Sequence, residues 1–428
     1  MNSRTYLFAL VDGGGTVPPE LGMVRRLVER GHRVTVLADE SMSVDVHATG
    51  ATYRPWRAAP NSASCRPEDV RYRDWECADP FALFRMLLDQ QFAGPAPGYA
   101  RDMTEALDAV NPDLAVCSFF AIGAMVAAQA RGVPFDVPFP NTYLLPVPGM
   151  PPSGLGLRPA KGPITRLRDL TLRTMVLRQW NKGVPELNVL RSSYGLPPVE
   201  EFFDQVHLAR KHLVLTSAEF DFPARMPAHV RYVGAVLDDP AWATTETWSP
   251  PAGDGPLVLV ALSSTFQDQT SCLQRVIDAL AELPVRGYVT TGPAIDPTDL
   301  KSPGNVEVVA VAPHSHVLSH ASAVITHAGH GTAVRALAAG VPVLALPHGR
   351  DQADNAIRIS LRGAGITLSR KASPGKIASA VQGLLSNPEY ATAAARLGEI
   401  IRRDAQTGDL IAELEEAAPR KPDSSVLA

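Results

Sequence analysis

The residues best suited to chemistry fall in one run, "THAGHGTAVRALAAGVPVLALPHGRDQADNA", which begins at Thr326. A strand over 323–326 runs into a glycine-rich turn, and a helix is expected to begin near Gly331 and Thr332. The free N–H groups and positive end of that helix would face whatever sits at the strand's C-terminal edge. His327 stands at that edge and can donate a hydrogen bond to a phosphate oxygen. Gly329 and Gly331 let the backbone approach closely, and Thr332 adds a hydroxyl donor. The ligand these residues imply is a diphosphate; the bland alternative is a turn that only packs helix on strand. His327 and His330 also form a His-x-x-His pair. No Cys, Asp or Glu at a matching spacing completes a metal site, so no metal is expected.

Three further signals share this half of the chain. Asp351 and Gln352 lie together at a strand end, just before a helix. A carboxylate beside an amide can share the hydroxyls of a sugar, although Asp in that place is also an ordinary helix cap. In "VAPHSHVL", Pro313 holds a loop, Ala312-Pro313-His314, whose backbone can pair with a base edge. In "LSSTFQDQ", Ser264 and Thr265 form a hydroxyl-rich loop directly after a strand. Near the N-terminus, "VDGGGTVPPELG" carries Asp12 at a strand end, three glycines, and Thr16 where the loop meets a helix.

The elements that must position these groups follow one grammar. "YLFALV" is a continuous apolar run, as in a strand buried on both faces. The helix after it opens on Pro18-Pro19, keeps Leu21, Val24, Leu27 and Val28 on one face, and ends at Gly31. "VTVLA", "DLAVCSFF", a helix from Ile122 and "LVLTS" continue the alternation. It restarts with "PLVLVALSS", "GYVTT", "VEVVAVAP", "SAVITHAG" and "GVPVLALP". Alternating strands and helices predict an α/β fold of two Rossmann-like domains with parallel sheets facing a cleft. The boundaries expected are 1–235 for the first domain, 236–255 for a Pro/Gly/Asp/Thr-rich linker and 256–395 for the second. A helix and tail over 396–428 are expected to cross back to the first domain. The Pro- and Gly-rich stretch 146–161 reads as a long functional loop.

Composition narrows the class. A length of 428 residues is too long for one ordinary core. A net charge of −4 disfavours a nucleic-acid partner. No apolar run reaches the ~18 residues of a membrane span. Cys65, Cys77, Cys117 and Cys272 have neither metal nor redox spacing and read as reduced thiols. A cytoplasmic location is expected.

In their order and spacing, these motifs resemble the donor half of the family 1 glycosyltransferases of the GT-B fold, most closely the bacterial enzymes that decorate antibiotics and other natural products. The resemblance covers nearly the whole chain. It implies that Ala312, Pro313 and His314 hold the nucleotide base. It implies that Ser264, Thr265, His327, Gly329, Gly331 and Thr332 hold the diphosphate, and Asp351 and Gln352 the sugar. It further implies an inverting transfer, without cofactor, from a TDP- or UDP-sugar to a hydroxyl of a small, fairly apolar acceptor bound near Asp12, Thr16, Trp75 and Pro146. An epimerase or hydrolase of the same fold, or a non-catalytic sugar-nucleotide binder, are the alternatives.

Three positions depart from the family pattern. Arg335 stands where a ribose-binding Glu is usual, which leaves UDP against TDP open. Thr16 and Ser118 stand where the family has its basic His and partner Asp. A threonine hydroxyl is no base near neutral pH. Asp12 is therefore the candidate base, against the alternative that it caps the N–H groups of Gly14 and Gly15. Glu76 and Asp79 are weaker candidates that read as surface charges.

Overall fold

A computed structural model of the chain describes residues 3–64, 72–239 and 248–417. Cys65, the middle of the expected linker and the end of the expected tail lie outside the described residues. The chain forms two parallel sheets. The first has seven strands in the order β3-β2-β1-β4-β5-β6-β7: Thr5–Ala9 (β1), Arg33–Ala38 (β2), Thr52–Pro55 (β3), Leu114–Cys117 (β4), Phe135–Phe139 (β5), His212–Val214 (β6) and Val230–Tyr232 (β7). The second has six, in the order β10-β9-β8-β11-β12-β13: Leu257–Ala261 (β8), Arg286–Thr290 (β9), Val306–Val309 (β10), Ala321–Thr326 (β11), Val343–Ala345 (β12) and Gly365–Thr367 (β13). In each, the strand order reverses beside the first strand, between β1 and β4 and between β8 and β11. Ligands bind at the carboxyl ends of strands at such a switch point.

The apolar runs are continuous because both faces of each sheet are covered. Leu7, Ala9 and Val11 enter one core cluster, and the alternate residues Tyr6, Phe8 and Leu10 enter another. Val258 and Val260 are likewise separated from Leu257 and Leu259. The first helix, Val17–Glu29, carries Leu21, Val24 and Leu27 into the second of the first sheet's clusters.

The end of the chain ties the two halves together. Helix Pro388–Thr407 packs on helix His330–Ala338 of the second half. Helix Leu410–Glu415 then buries Leu410 and Leu414 in the first half's core. Glu415 accepts hydrogen bonds from Arg30 at 2.7 and 3.0 Å. A second tie is fully buried: Asp221 of the first half accepts two bonds from Arg358 of the second, at 2.7 and 3.0 Å. Among the described residues no helix is long and apolar enough to cross a membrane.

Candidate active site

Between the two halves, at the carboxyl ends of β1, β8 and β11, lies a cavity of about 260 Å³. A close approach between the two halves explains the glycine loop. Gly14 has φ +70°, and a Cβ there would sit 2.5 Å from Thr265 Cγ2 of the opposite half. The bare backbone of the first loop thus packs directly on the hydroxyl loop of the second domain. The Gly15 carbonyl similarly faces Gly331, 3.9 Å from where its Cβ would be.

Helix His330–Ala338 supplies the cavity's positive end. Its cap residue is Gly329, and the first backbone bond inside the helix is Ala333 N–H to Gly329 O at 3.0 Å. The N–H groups of the first turn are left for a ligand, and Gly331 and Thr332 line the cavity. His327 is 8 % exposed. A Cβ on Gly329 would fall 2.3 Å from its Nε2, so glycine is required there by the imidazole. Burial, then the nearby His348 and Arg350, push the His327 pKa down to about 3. The ring is neutral near pH 7 and therefore carries a single N–H.

The hydroxyl loop is braced from within. The Ser263 hydroxyl accepts from Thr265 N–H at 3.2 Å and from Gln267 Nε2 at 2.8 Å, while Gln269 Nε2 donates to the Ser263 and Thr265 carbonyls. Ser264 and Thr265 line the cavity. So do Ala312 and His314, with Pro313 buried behind them as the cap of helix His314–Leu318. His314 Nε2 lies 3.0 Å from Thr290 Oγ1, and burial followed by Arg335 lowers its pKa to about 4.

Asp351 lines the cavity at the start of helix Gln352–Leu361, yet its side chain caps no backbone N–H. One carboxylate oxygen accepts from Asn355 at 2.6 Å. Burial pushes its pKa up, and hydrogen bonds from Asn141 of the first half and from Asn355 hold it back. Gln352 also lines the cavity, but its amide braces the turn. Oε1 accepts from the N–H of His348 and Gly349 at 2.7 and 3.1 Å, and Nε2 donates to Gln267 at 2.8 Å.

The opposite wall belongs to the first half. Asp12 Oδ1 accepts from Gly14 N–H at 2.9 Å, and Oδ2 accepts from Ser41 Oγ at 2.6 Å. Asp12 therefore shapes the loop and also lines the cavity. Thr16 lines it too, as the cap residue of the first helix, with a buried hydroxyl that finds no partner. Ser118 is 1 % exposed and stands behind this wall, outside the cavity.

Beside Ser118 lies a residue that sequence reasoning passed over. Glu20 is fully buried, one helical turn after Thr16, and both its carboxyl oxygens lack a hydrogen-bond partner. The Ser118 hydroxyl is close enough to lower its pKa but falls short of hydrogen-bond geometry. Burial, with the charge of Asp12, raises it to about 8.

The remaining expectations find plain structural places. Glu76 pairs with Arg73 at 3.1 Å on the surface, and Asp79 caps helix Pro80–Leu87. Trp75 packs edge-on against Phe266 of the second half, with ring centroids 5.2 Å apart. The Pro-rich segment is clamped rather than free: Asp354 accepts from Gly154 N–H at 2.5 Å and from Gly156 N–H at 2.7 Å. Arg335 pairs with Asp239 at 3.1 Å and donates to Gly331 O at 3.1 Å. Arg350, Asn141 and Ser41 join the site without any sequence signal of their own. Among the described residues, His207, His212 and His229 bring ring nitrogens within 4.8 Å of one another. They lie outside the cavity, and both nitrogens of His212 are engaged, by Tyr143 and by the Val206 carbonyl, each at 2.9 Å.

Comparison with known proteins agrees with this architecture. Residues 274–416 match the family "Erythromycin biosynthesis protein CIII-like, C-terminal domain". The chain is 28 % identical over 412 residues to 4'-demethylrebeccamycin synthase of Lentzea aerocolonigenes, covering 93 % of this chain and 96 % of that protein. It is 28 % identical to the oleandomycin glycosyltransferase of Streptomyces antibioticus, over 92 % of this chain and 85 % of the other. Among solved structures, the glycosyltransferase of kitacinnamycin superposes with a TM-score of 0.76 at 24 % identity, covering 98 % of this chain and 100 % of the other. The calicheamicin glycosyltransferase CalG4 does so at 0.72 and 25 %, covering 97 % and 98 %. With two parallel-sheet lobes, a cavity between them and these relatives, the chain has the GT-B fold, is similar to natural-product glycosyltransferases along nearly its whole length, and is an enzyme that transfers a sugar from a nucleotide donor to a small acceptor.

Proposed function

We propose that this enzyme performs a single inverting displacement, moving a sugar from a TDP- or UDP-sugar to a hydroxyl of a fairly apolar acceptor. Residues 1–235 serve as the acceptor half and 256–395 as the donor half. The observation that carries the reading is the cavity itself: Asp12 lines one wall and His327, with the start of helix His330–Ala338, lines the other.

On this reading the nucleotide base lies against Ala312 and His314. The diphosphate meets Ser264, Thr265, His327 and the first N–H groups of the helix. Asp351 takes sugar hydroxyls, positioned by its bonds to Asn141 and Asn355, and Gln352 keeps the turn in shape. The acceptor oxygen attacks the anomeric carbon from the Asp12 side and forms the new C–O bond. The old bond's electron pair leaves with the diphosphate, where fixed dipoles stabilise it. The acceptor proton passes to the Asp12 carboxylate. One displacement by one acceptor oxygen inverts the anomeric centre.

Incubation with donor alone separates this reading from its alternatives. A transferase leaves the sugar nucleotide intact until an acceptor is added. An epimerase or hydrolase consumes it unaided. The phosphate assignment has its own test. His327→Ala should weaken UDP and TDP binding by about 1.5–3 kcal/mol, the worth of a hydrogen bond to a charged group. Calorimetry reads it; unchanged affinity for both would reduce the turn to a structural role.

A further inference from the structure

A leaving diphosphate carries two to three negative charges. Within the cavity lining the histidines do not balance them, because His314, His327 and His330 are all held neutral by burial. The charge must come from elsewhere, and among the described residues three arginines line the cavity: Arg25, Arg335 and Arg350. Arg25 is paired with Asp238 at 2.5 Å. Arg335 is paired with Asp239, whose side chain is only 4 % exposed. Both acids line the cavity as well, so each of these pairs brings no net charge to it.

Arg350 differs in three ways. Its Nη1 donates to Thr265 Oγ1 at 3.1 Å, on the hydroxyl loop itself. Its charge is felt at the His327 ring. Its carboxylate partner, Asp74, at 2.8 and 3.3 Å, comes from the first half and does not line the cavity. The backbone of Arg350 sits at φ +56°, a left-handed conformation that costs a non-glycine residue free energy and tends to persist at ligand sites. Next to Asp74, Trp75 packs on Phe266, the residue after Thr265.

We propose that Arg350 is the cation that binds the donor's diphosphate, and that Asp74 is its tether from the acceptor half, holding the guanidinium over the hydroxyl loop until the donor arrives. This rests on the donor-site reading above. The guanidinium presents a planar fork, so one edge can stay on Asp74 while Nη1 exchanges Thr265 for a phosphate oxygen. Donor binding and the position of the Asp74–Trp75 segment are thereby coupled.

The two partners of the ion pair give opposite expectations, which separates a ligand cation from a mere clasp. Calorimetry is run on the full chain with TDP, UDP, thymidine and uridine. Arg350→Met should weaken the diphosphates about 10- to 100-fold and leave the nucleosides within about two-fold. Asp74→Asn breaks the same ion pair but frees the guanidinium, so diphosphate affinity should hold or rise. Arg350→Lys should recover part of the loss. If Asp74→Asn and Arg350→Met weaken the diphosphates equally, the pair is only a clasp and the proposal fails. If Arg350→Met weakens nucleosides and diphosphates alike, the change has disturbed the loop and the proposal fails too. Wild-type protein that binds none of the four ligands would refute the donor-site reading itself, a result distinct from either.

Discussion

Glu20→Gln isolates the most unusual group near the site. Glu20 has no solvent exposure and no hydrogen-bond partner, and its pKa stands at about 8 against 4.5 for the free side chain. The causes are burial first, then the charge of Asp12, opposed by Ser118. In the unfolded chain the group ionises above pH 4.5; in the folded protein it keeps its proton until about pH 8. Between those values the folded state binds more protons than the unfolded one, so stability falls as pH rises. The contribution is fully present below pH 4.5 and is lost by the time pH passes 8. At about 1.4 kcal/mol per pH unit the whole window is worth roughly 5 kcal/mol.

Gln keeps the shape and does not titrate. Its buried amide adds a fixed cost, so the slope is the readout and the offset is not. Thermal melts of both proteins from pH 4 to 9 give the comparison. At roughly 2–4 °C per kcal/mol, the variant's Tm should gain about 3–5 °C on the wild type per pH unit from pH 5 to 8, and then level off. Parallel curves across that range would refute the reasoning. They would mean that water or a cation reaches Glu20 and that it ionises normally.

Three other outcomes follow from the geometry. Asp12→Asn should lower transfer to an aliphatic alcohol by about 10²–10⁴, the usual worth of a general base, while a phenolic acceptor, whose proton leaves more easily, suffers less. Steady-state rates on both acceptors check this, and full activity on the alcohol would sink the assignment. Asp351→Ala should impair turnover of the nucleotide sugar and leave free TDP or UDP binding nearly intact; equal loss of both would make it a loop brace. Asp221→Ala leaves Arg358 buried and unpaired at the join of the two halves, and should cost about 3–5 kcal/mol in a denaturant titration.

Much of the fold is legible because glycine and proline punctuate it. Gly31, at φ +84°, closes the first helix where the sequence predicts its end. Continuous apolar runs mark β1, β8 and β11 because helices cover both sheet faces. What escapes is short or mixed in composition. Strand β5, "FDVPF", carries an aspartate and a proline, and β7 and β13 are three residues each. Too few residues alternate there for periodicity to register, and pairing with neighbours creates the strand. The residues proposed for the donor are legible as candidates because each motif is local to one strand end. Glu20 and Arg350 are not. A glutamate in a first helical turn reads as a favourable charge at the helix dipole, and nothing local says that Ser118 and Asp12 enclose it. Likewise "HGRDQ" does not say that Asp74, far away in sequence, waits for its arginine.

The same distinction bears on the missing dyad. Where the resembling family has an imidazole and a carboxylate, this chain has two hydroxyls, Thr16 and Ser118, with two carboxyl groups, Asp12 and Glu20, close by. Thr16 lines the cavity with an unpartnered hydroxyl, but it has no basicity to offer. Ser118 is shut off from the cavity, and so is Glu20, which keeps its proton near neutral pH. Asp12 alone in this group of four both reaches the cavity and carries a carboxylate, fixed by Gly14 N–H and the Ser41 hydroxyl. The Glu20 proton keeps a second negative charge from forming behind it. A carboxylate is intrinsically a weaker base than an imidazole, so an acceptor whose proton is already acidic suits it better, and the ratio of phenol to alcohol turnover is the quantity that distinguishes the two.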